Sequence, residues 1–226
     1  MVVYTVLSAV GHGVSGEYGG IFYRAVILAA LLYACCRAFW TIIKTGVTDT
    51  LLAAALGLAT FAVNELYSFA YIYLLRGSAM DMTVGNYSRN CAYLFFTAAV
   101  FSLFPSFHKI PRISVSALSA TAILLIFYGV VAGNSTLLYY SALAVVLLCI
   151  LPTVYLIIKG NRPAKAFGLA ILAIGILDSA NRLLILFDPG WHWRDMALAF
   201  YPVMYLLLCF TALRFTSREG GDRTDG

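Results

Sequence analysis

The chain has 226 residues, of which 62% are hydrophobic and 11% charged, with a formal net charge of +5. A soluble domain carries about 25% charged residues, so this chain has too few to cover its own surface in water, and its mean hydropathy of +0.88 points the same way. Most of its basic residues fall in short connections between apolar runs, where they act as topology signals, so the positive charge does not mark a nucleic-acid-binding protein.

Residues 1–19 are expected to form an extracytoplasmic N-terminal segment. The run 2–10 is too short to span a bilayer, which takes about 20 residues, and reads as a short interfacial helix. No basic region precedes it, which argues against a standard signal peptide. Gly13-Val14-Ser15-Gly16 resembles the GxSG string of rhomboid proteases, but it precedes the first span and has no intramembrane histidine partner, so it reads as a loop.

Seven long apolar segments follow, at residues 20–43, 51–75, 87–107, 115–132, 137–158, 166–187 and 196–213. Each is near the length a helix needs to cross a bilayer, and only a helix or a closed barrel satisfies its backbone in lipid. The segments are continuously apolar, not alternating, which excludes barrel strands. The expected fold is therefore an all-α integral membrane protein, a seven-transmembrane helix bundle over 20–213 with a polar, glycine-rich tail at 214–226 that is expected to be disordered.

Lysine and arginine set the direction. Arg37 and Lys44 flank the first connection, Lys109 and Arg112 lie in the third, and Lys159, Arg162 and Lys165 in the fifth. Arg214, Arg218 and Arg223 lie in or beside the tail. The even connections hold only Arg76 and Arg194; Arg24 and Arg89, at the opposite ends of spans one and three, weaken the bias without reversing it. The excess places the odd connections and the C-terminus in the cytoplasm and the N-terminus outside, in a multi-pass protein of the cell membrane.

Against this apolar background a few polar residues stand at membrane depth, where a carboxylate costs several kcal/mol unless something compensates it. Glu65 lies fourteen residues into span two and Asp178 twelve into span six; both spans run outward, so both acids reach the outer half of the bilayer. Asn64, Ser68, Tyr67 and Tyr71 surround Glu65 in sequence. Asp178, Asn181 and Arg182 are spaced i, i+3 and i+4 on one helical face, so Asp178 can pair with Arg182. Span three runs inward and begins near Arg89, which places that guanidinium at the outer mouth within reach of Glu65. The candidate ligand-binding residues are thus Asn64, Glu65, Ser68, Arg89, Asp178, Asn181 and Arg182. They would line an outward-facing polar pocket built by spans two, three and six with span seven, or else tie the bundle together as a buried network.

The remaining chemistry is sparse. Cys35, Cys36, Cys91, Cys149 and Cys209 lie within apolar segments without a CxxC pair and read as small core residues. His12, His108 and His192 are scattered, so neither a metal site nor any cofactor is expected. Glu65 precedes Gly77 by the spacing at which Asp178 precedes Gly190; a parallel repeat of three helices about one linker helix would produce this, and so would coincidence.

Seven spans with the N-terminus outside resemble the rhodopsin plan, but the last lysine is Lys165, before span six, so no Schiff-base lysine exists in the last span. The size also resembles the sugar-exporting SWEET proteins, without their proline-glutamine signature. Asn64-Glu65-Leu66-Tyr67 is similar to the second-span glutamate context of small seven-helix terpene cyclases, a family that also uses an acid in its last span; 196–213 contains none. In plan the chain also resembles the seven-helix sensing modules fused to bacterial signalling enzymes.

These readings favour a small-ligand sensor or receptor module, with the lipid bilayer, a small-molecule ligand and a cytoplasmic signalling protein as partners and no nucleic acid. The alternatives are a small-solute transporter, and an intramembrane enzyme acting on a lipid-like substrate such as an isoprenoid through general acid catalysis by Glu65 or Asp178. Pro152 and Pro202 would permit the kinks of a transporter, yet the inner halves of the spans offer little beyond Thr60, Ser102 and Thr153.

Overall fold

The computed structural model describes residues 16–71, 83–104, 135–187 and 193–216; within its helices the side chains of 16–21, 23, 83–87, 135–144, 147, 181–187 and 193–199 fall outside the description. The expected fourth span, the N-terminal interfacial helix, the GxSG string and most of the tail therefore lie outside the described residues. Six α-helices and no strand are present among those described: α1 Gly16–Thr45, α2 Asp49–Phe69, α3 Thr83–Ser102, α4 Ser135–Lys159, α5 Arg162–Phe187 and α6 Trp193–Ala212.

The helix ends follow local sequence chemistry. Gly46 stops α1 with a φ of 93°, a left-handed conformation that a Cβ opposes, while its N–H still reaches the Ile42 carbonyl at 3.0 Å. Two residues on, Thr48 starts α2: its backbone is extended and its hydroxyl oxygen accepts from the Leu51 N–H at 3.3 Å. The same hydroxyl donates to the Phe215 carbonyl at 2.7 Å, fastening the segment after α6 to the α1–α2 connection. Asn161 caps α5, its Oδ1 accepting from Ala164 N–H at 3.1 Å. The third segment, expected to reach residue 107, leaves the helix at Ser102 and turns through Leu103 and Phe104.

The six described helices form a closed ring. Each packs on the next in chain order, α6 returns to α1, and α2 also touches α6 through the interior. Small residues permit close approach, as expected where dispersion and not water drives helix association. Ala54, Ala55 and Gly57 on α2 are buried, and a Cβ on Gly57 would sit 2.6 Å from Cε1 of Phe96 on α3. Phe61 fills the middle, 5.6 Å edge-on to Tyr93, 5.6 Å from Phe96 and 5.2 Å from Tyr205.

The outer surface is apolar and the interior holds charge. Ile43 and Leu151 are 77% and 70% exposed, and Val63, Leu66, Leu169 and Ile176 are more than half exposed, whereas Asp178 is fully buried. A water-soluble bundle places these residues the other way round. Three stretches are long and apolar enough to cross a membrane, Arg24–Thr45, Asp49–Phe69 and Arg162–Ala180, and Leu148–Lys159 and Phe200–Ala212 are shorter apolar helices.

Candidate functional site

The start of α1, the end of α2, the start of α3, the later half of α5 and the first half of α6 meet at one end of the bundle, as the contacts among Arg24, Glu65, Arg89, Asp178 and Tyr201 show. Each supplies one part of a connected set of charges. On α2, Glu65 is buried beside Asn64, whose amide donates to Glu65 Oε1 at 3.3 Å. Arg89 of α3 donates from Nη2 to the same oxygen at 3.2 Å. Its other terminal nitrogen, Nη1, lies 3.2 Å from Asp178 Oδ1 on α5. One guanidinium thus bridges two carboxylates that come from different helices, the fork geometry for which arginine is suited and lysine is not.

Asp178 is held by more than this cation. Tyr201 of α6 donates to Oδ1 at 2.6 Å, and Tyr93, one turn after Arg89, donates to Oδ2 at 3.0 Å. Both carboxylate oxygens therefore accept charge-assisted bonds, the strong kind. Glu65 is held less tightly. Among the described residues its Oε2 has no hydrogen bond and a charge contact at 3.5 Å from Arg24 Nη1 of α1. Among the described residues two arginines face two acids, so these four groups compensate one another, which is the condition for keeping carboxylates in a low-dielectric interior.

Among the described residues, Arg89 Nε and the Tyr205 hydroxyl, besides Glu65 Oε2, are buried without a hydrogen-bond partner, as are both amide atoms of Asn90 and the Ser179 hydroxyl one position along from Arg89 and Asp178. Tyr205 stacks on Tyr201 with ring centres 5.7 Å apart, so its hydroxyl belongs to the same neighbourhood. These atoms are open valences in a place where leaving one unfilled costs about 1–3 kcal/mol.

Of the residues singled out from sequence, Asn64, Glu65, Arg89 and Asp178 are joined in this network. Ser68 is buried one turn beyond Asn64 but is no member of the described ion-pair chain. Asn181 and Arg182 continue α5, and their side chains lie outside the described residues, so the partners seen for Asp178 are Arg89, Tyr93 and Tyr201. Sequence reasoning missed Arg24, Tyr93, Tyr201 and Tyr205. A usable signal existed for some of them. Tyr93 stands i+4 from Arg89, and Tyr205 stands i+4 from Tyr201, so each shares a helical face with a network member.

Elsewhere the inner hydroxyls are occupied by their own helices. Thr60 donates to Leu56 O at 2.6 Å and Thr153 to Cys149 O at 2.7 Å, while Ser102 and Thr50 pair at 2.6 Å. The five cysteines are free thiols, and among the described residues no three His, Cys, Asp or Glu side chains converge as a metal site. Comparison with protein-family models, curated proteins and solved structures finds no match.

Proposed function

We propose that the chain is a seven-helix, multi-pass protein of the cell membrane, with its N-terminus outside and its C-terminus in the cytoplasm, and that the Glu65–Arg89–Asp178 network is the heart of an outward-facing site through which it senses a small ligand. The incomplete hydrogen bonding of the network carries this reading. A network kept only as structural glue is expected to be closed, because in low dielectric a half-satisfied one is worse than an apolar core. Among the described residues, both oxygens of Asp178 accept hydrogen bonds, whereas Glu65 Oε2, Arg89 Nε and the Tyr205 hydroxyl find no hydrogen-bond partner. A ligand that completes them recovers that cost on binding.

The topology draws support from the distribution of cations. Lys44, Lys159, Arg162, Lys165 and Arg214 are all exposed at the end of the bundle opposite the network, as expected of a cytoplasmic end. Transport is the weaker reading. The inner hydroxyls that a polar path would use are engaged within their own helices or, for Ser102 and Thr50, with each other. A sensor would pass its signal to a cytoplasmic protein at the basic end.

The test is Glu65→Gln in purified protein, which keeps shape and hydrogen-bonding capacity but removes the charge. Thermal-shift screening of small polar ligands should find compounds that stabilise the wild type and not the variant, while the variant alone still inserts and unfolds cooperatively. A well-folded Glu65→Gln protein with the wild-type ligand response would overturn the role given to Glu65. Cysteine-accessibility labelling at 133–135 and in the tail tests direction: labelling of the tail from outside contradicts the topology.

A further inference from the structure

The end of the bundle opposite the charge network gathers exposed cations from three stretches of chain. Lys44 closes α1, Lys159 ends α4, Arg162 and Lys165 open α5, and Arg214 follows α6. Phe215 holds these stretches together: its carbonyl accepts from Thr48 before α2, and its ring lies 5.6 Å from Phe167 of α5. Among the described residues the one acid at this end is Asp49. Lys159, Arg162 and Lys165 form the densest group, three cations within seven residues around the Gly160-Asn161 turn.

Directly beside these cations the surface turns apolar. On α4, Leu151, Val154, Tyr155 and Ile158 are exposed, as are Trp40 and Ile43 on α1 and Val47 just after it. The Lys44 amine sits 4.7 Å above the Trp40 ring, an aromatic and a cation stacked at the border between the two zones. A cationic rim over an apolar flank matches a molecule with an anionic head and hydrocarbon tails. A folded acidic protein would match the rim and leave the flank uncovered.

We propose that the α4–α5 corner is a binding site for anionic phospholipid, with the headgroup phosphate held by Lys159, Arg162 and Lys165 and the acyl chains lying along the exposed face of α4. This rests on the membrane reading of the chain and is independent of the ligand reading of the Glu65 network. Each cation near an anionic membrane surface strengthens attraction roughly fivefold, so three together are worth on the order of a hundredfold in lipid affinity.

The full chain, reconstituted in nanodiscs of phosphatidylcholine alone or with added phosphatidylglycerol, provides the test. Thermal midpoints are measured for the wild type, for the triple variant Lys159→Gln, Arg162→Gln, Lys165→Gln, and for the charge-keeping pair Lys159→Arg, Lys165→Arg. Phosphatidylglycerol should raise the midpoint of the wild type and of the charge-keeping variant. The glutamine variant should match the wild type in phosphatidylcholine and lose most of the increment. Native mass spectrometry should show on the order of a hundredfold weaker phosphatidylglycerol retention by the glutamine variant. An equal increment in wild type and glutamine variant, or none in the wild type, overturns the site. Equal stabilisation of the wild type in phosphatidylcholine by soluble polyglutamate also overturns it, in favour of an acidic protein partner.

Discussion

Removing the positive charge of Arg89 should be among the costliest single changes in this bundle. Its two terminal nitrogens each lie 3.2 Å from a buried carboxylate, Glu65 on one side and Asp178 on the other. Arg89→Gln leaves both acids with less compensation, and breaking a buried pair by removing one partner costs about 3–5 kcal/mol. The two charge-assisted contacts, at about 1.5–3 kcal/mol each, give a similar total. A double-mutant cycle with Asp178→Asn isolates one of them. Asn keeps an oxygen for the Tyr201 hydroxyl, so the cycle reads the ion pair more than the hydrogen bond. Interhelical hydrogen bonds inside membranes typically couple by about 0.6 kcal/mol, because the unfolded helices find other partners. An ionised pair has no comparable partner in lipid, so the Arg89–Asp178 coupling should lie near 1.5–3 kcal/mol. Unfolding by SDS titration in mixed micelles, followed by far-UV circular dichroism, measures all four corners. A coupling at or below about 0.6 kcal/mol would refute the argument that this arginine is the electrostatic centre of the network.

Other changes test neighbouring links by the same unfolding assay. Tyr201→Phe removes the shortest bond to Asp178 and should cost about 1.5–3 kcal/mol, whereas Tyr205→Phe, whose hydroxyl has no described partner, should be close to neutral or stabilising in the absence of ligand. Gly57→Ala drives a Cβ toward the Phe96 ring, which Phe61 and Tyr93 hold in place, and should cost about 1–3 kcal/mol, with partial rescue by Phe96→Leu. Gly46→Ala places a Cβ on a φ of 93° and should cost about 1–3 kcal/mol; Gly46→Asn should cost less.

The helices were largely legible because hydrophobic length and loop chemistry are local properties. The expected first, second, fifth, sixth and seventh segments each coincide with a described helix to within a few residues, apart from the end of the second, and Gly46 and Thr48 mark a boundary that composition alone suggests. The acids were legible for an energetic reason: a carboxylate in an apolar run demands explanation wherever its partner sits. Their partners were harder to read. Arg24 looked like noise in a topology count, since its use depends on α1 standing beside α2 at the right height. Tyr93 and Tyr201 were hidden among fifteen tyrosines, and only the fold distinguishes the two that reach Asp178.

The placement of Asp178 also bears on how a site here would act at a distance. Arg89 and Tyr93 reach it from α3, although α4 stands between α3 and α5 in the ring, and Tyr201 reaches it from α6. The acid therefore joins helices across the bundle interior as well as around its edge. Glu65 adds α2 and, through Arg24, α1. Five of the six described helices thus share one set of charges whose members cannot be altered independently: drawing Arg89 toward one carboxylate withdraws compensation from the other. Apolar contacts between the same helices lack this property, because each depends only on the surfaces that touch. A ligand engaging the loosely held Glu65 Oε2 would consequently change the balance at Asp178 and the packing of α3 against α5 and α6. That is the kind of coupling a receptor needs between an outer site and the inner ends of its helices, and it is measurable. Arg24→Gln, at the open side of Glu65, should change the Arg89–Asp178 coupling energy; an unchanged cycle would show that the two halves of the network act separately.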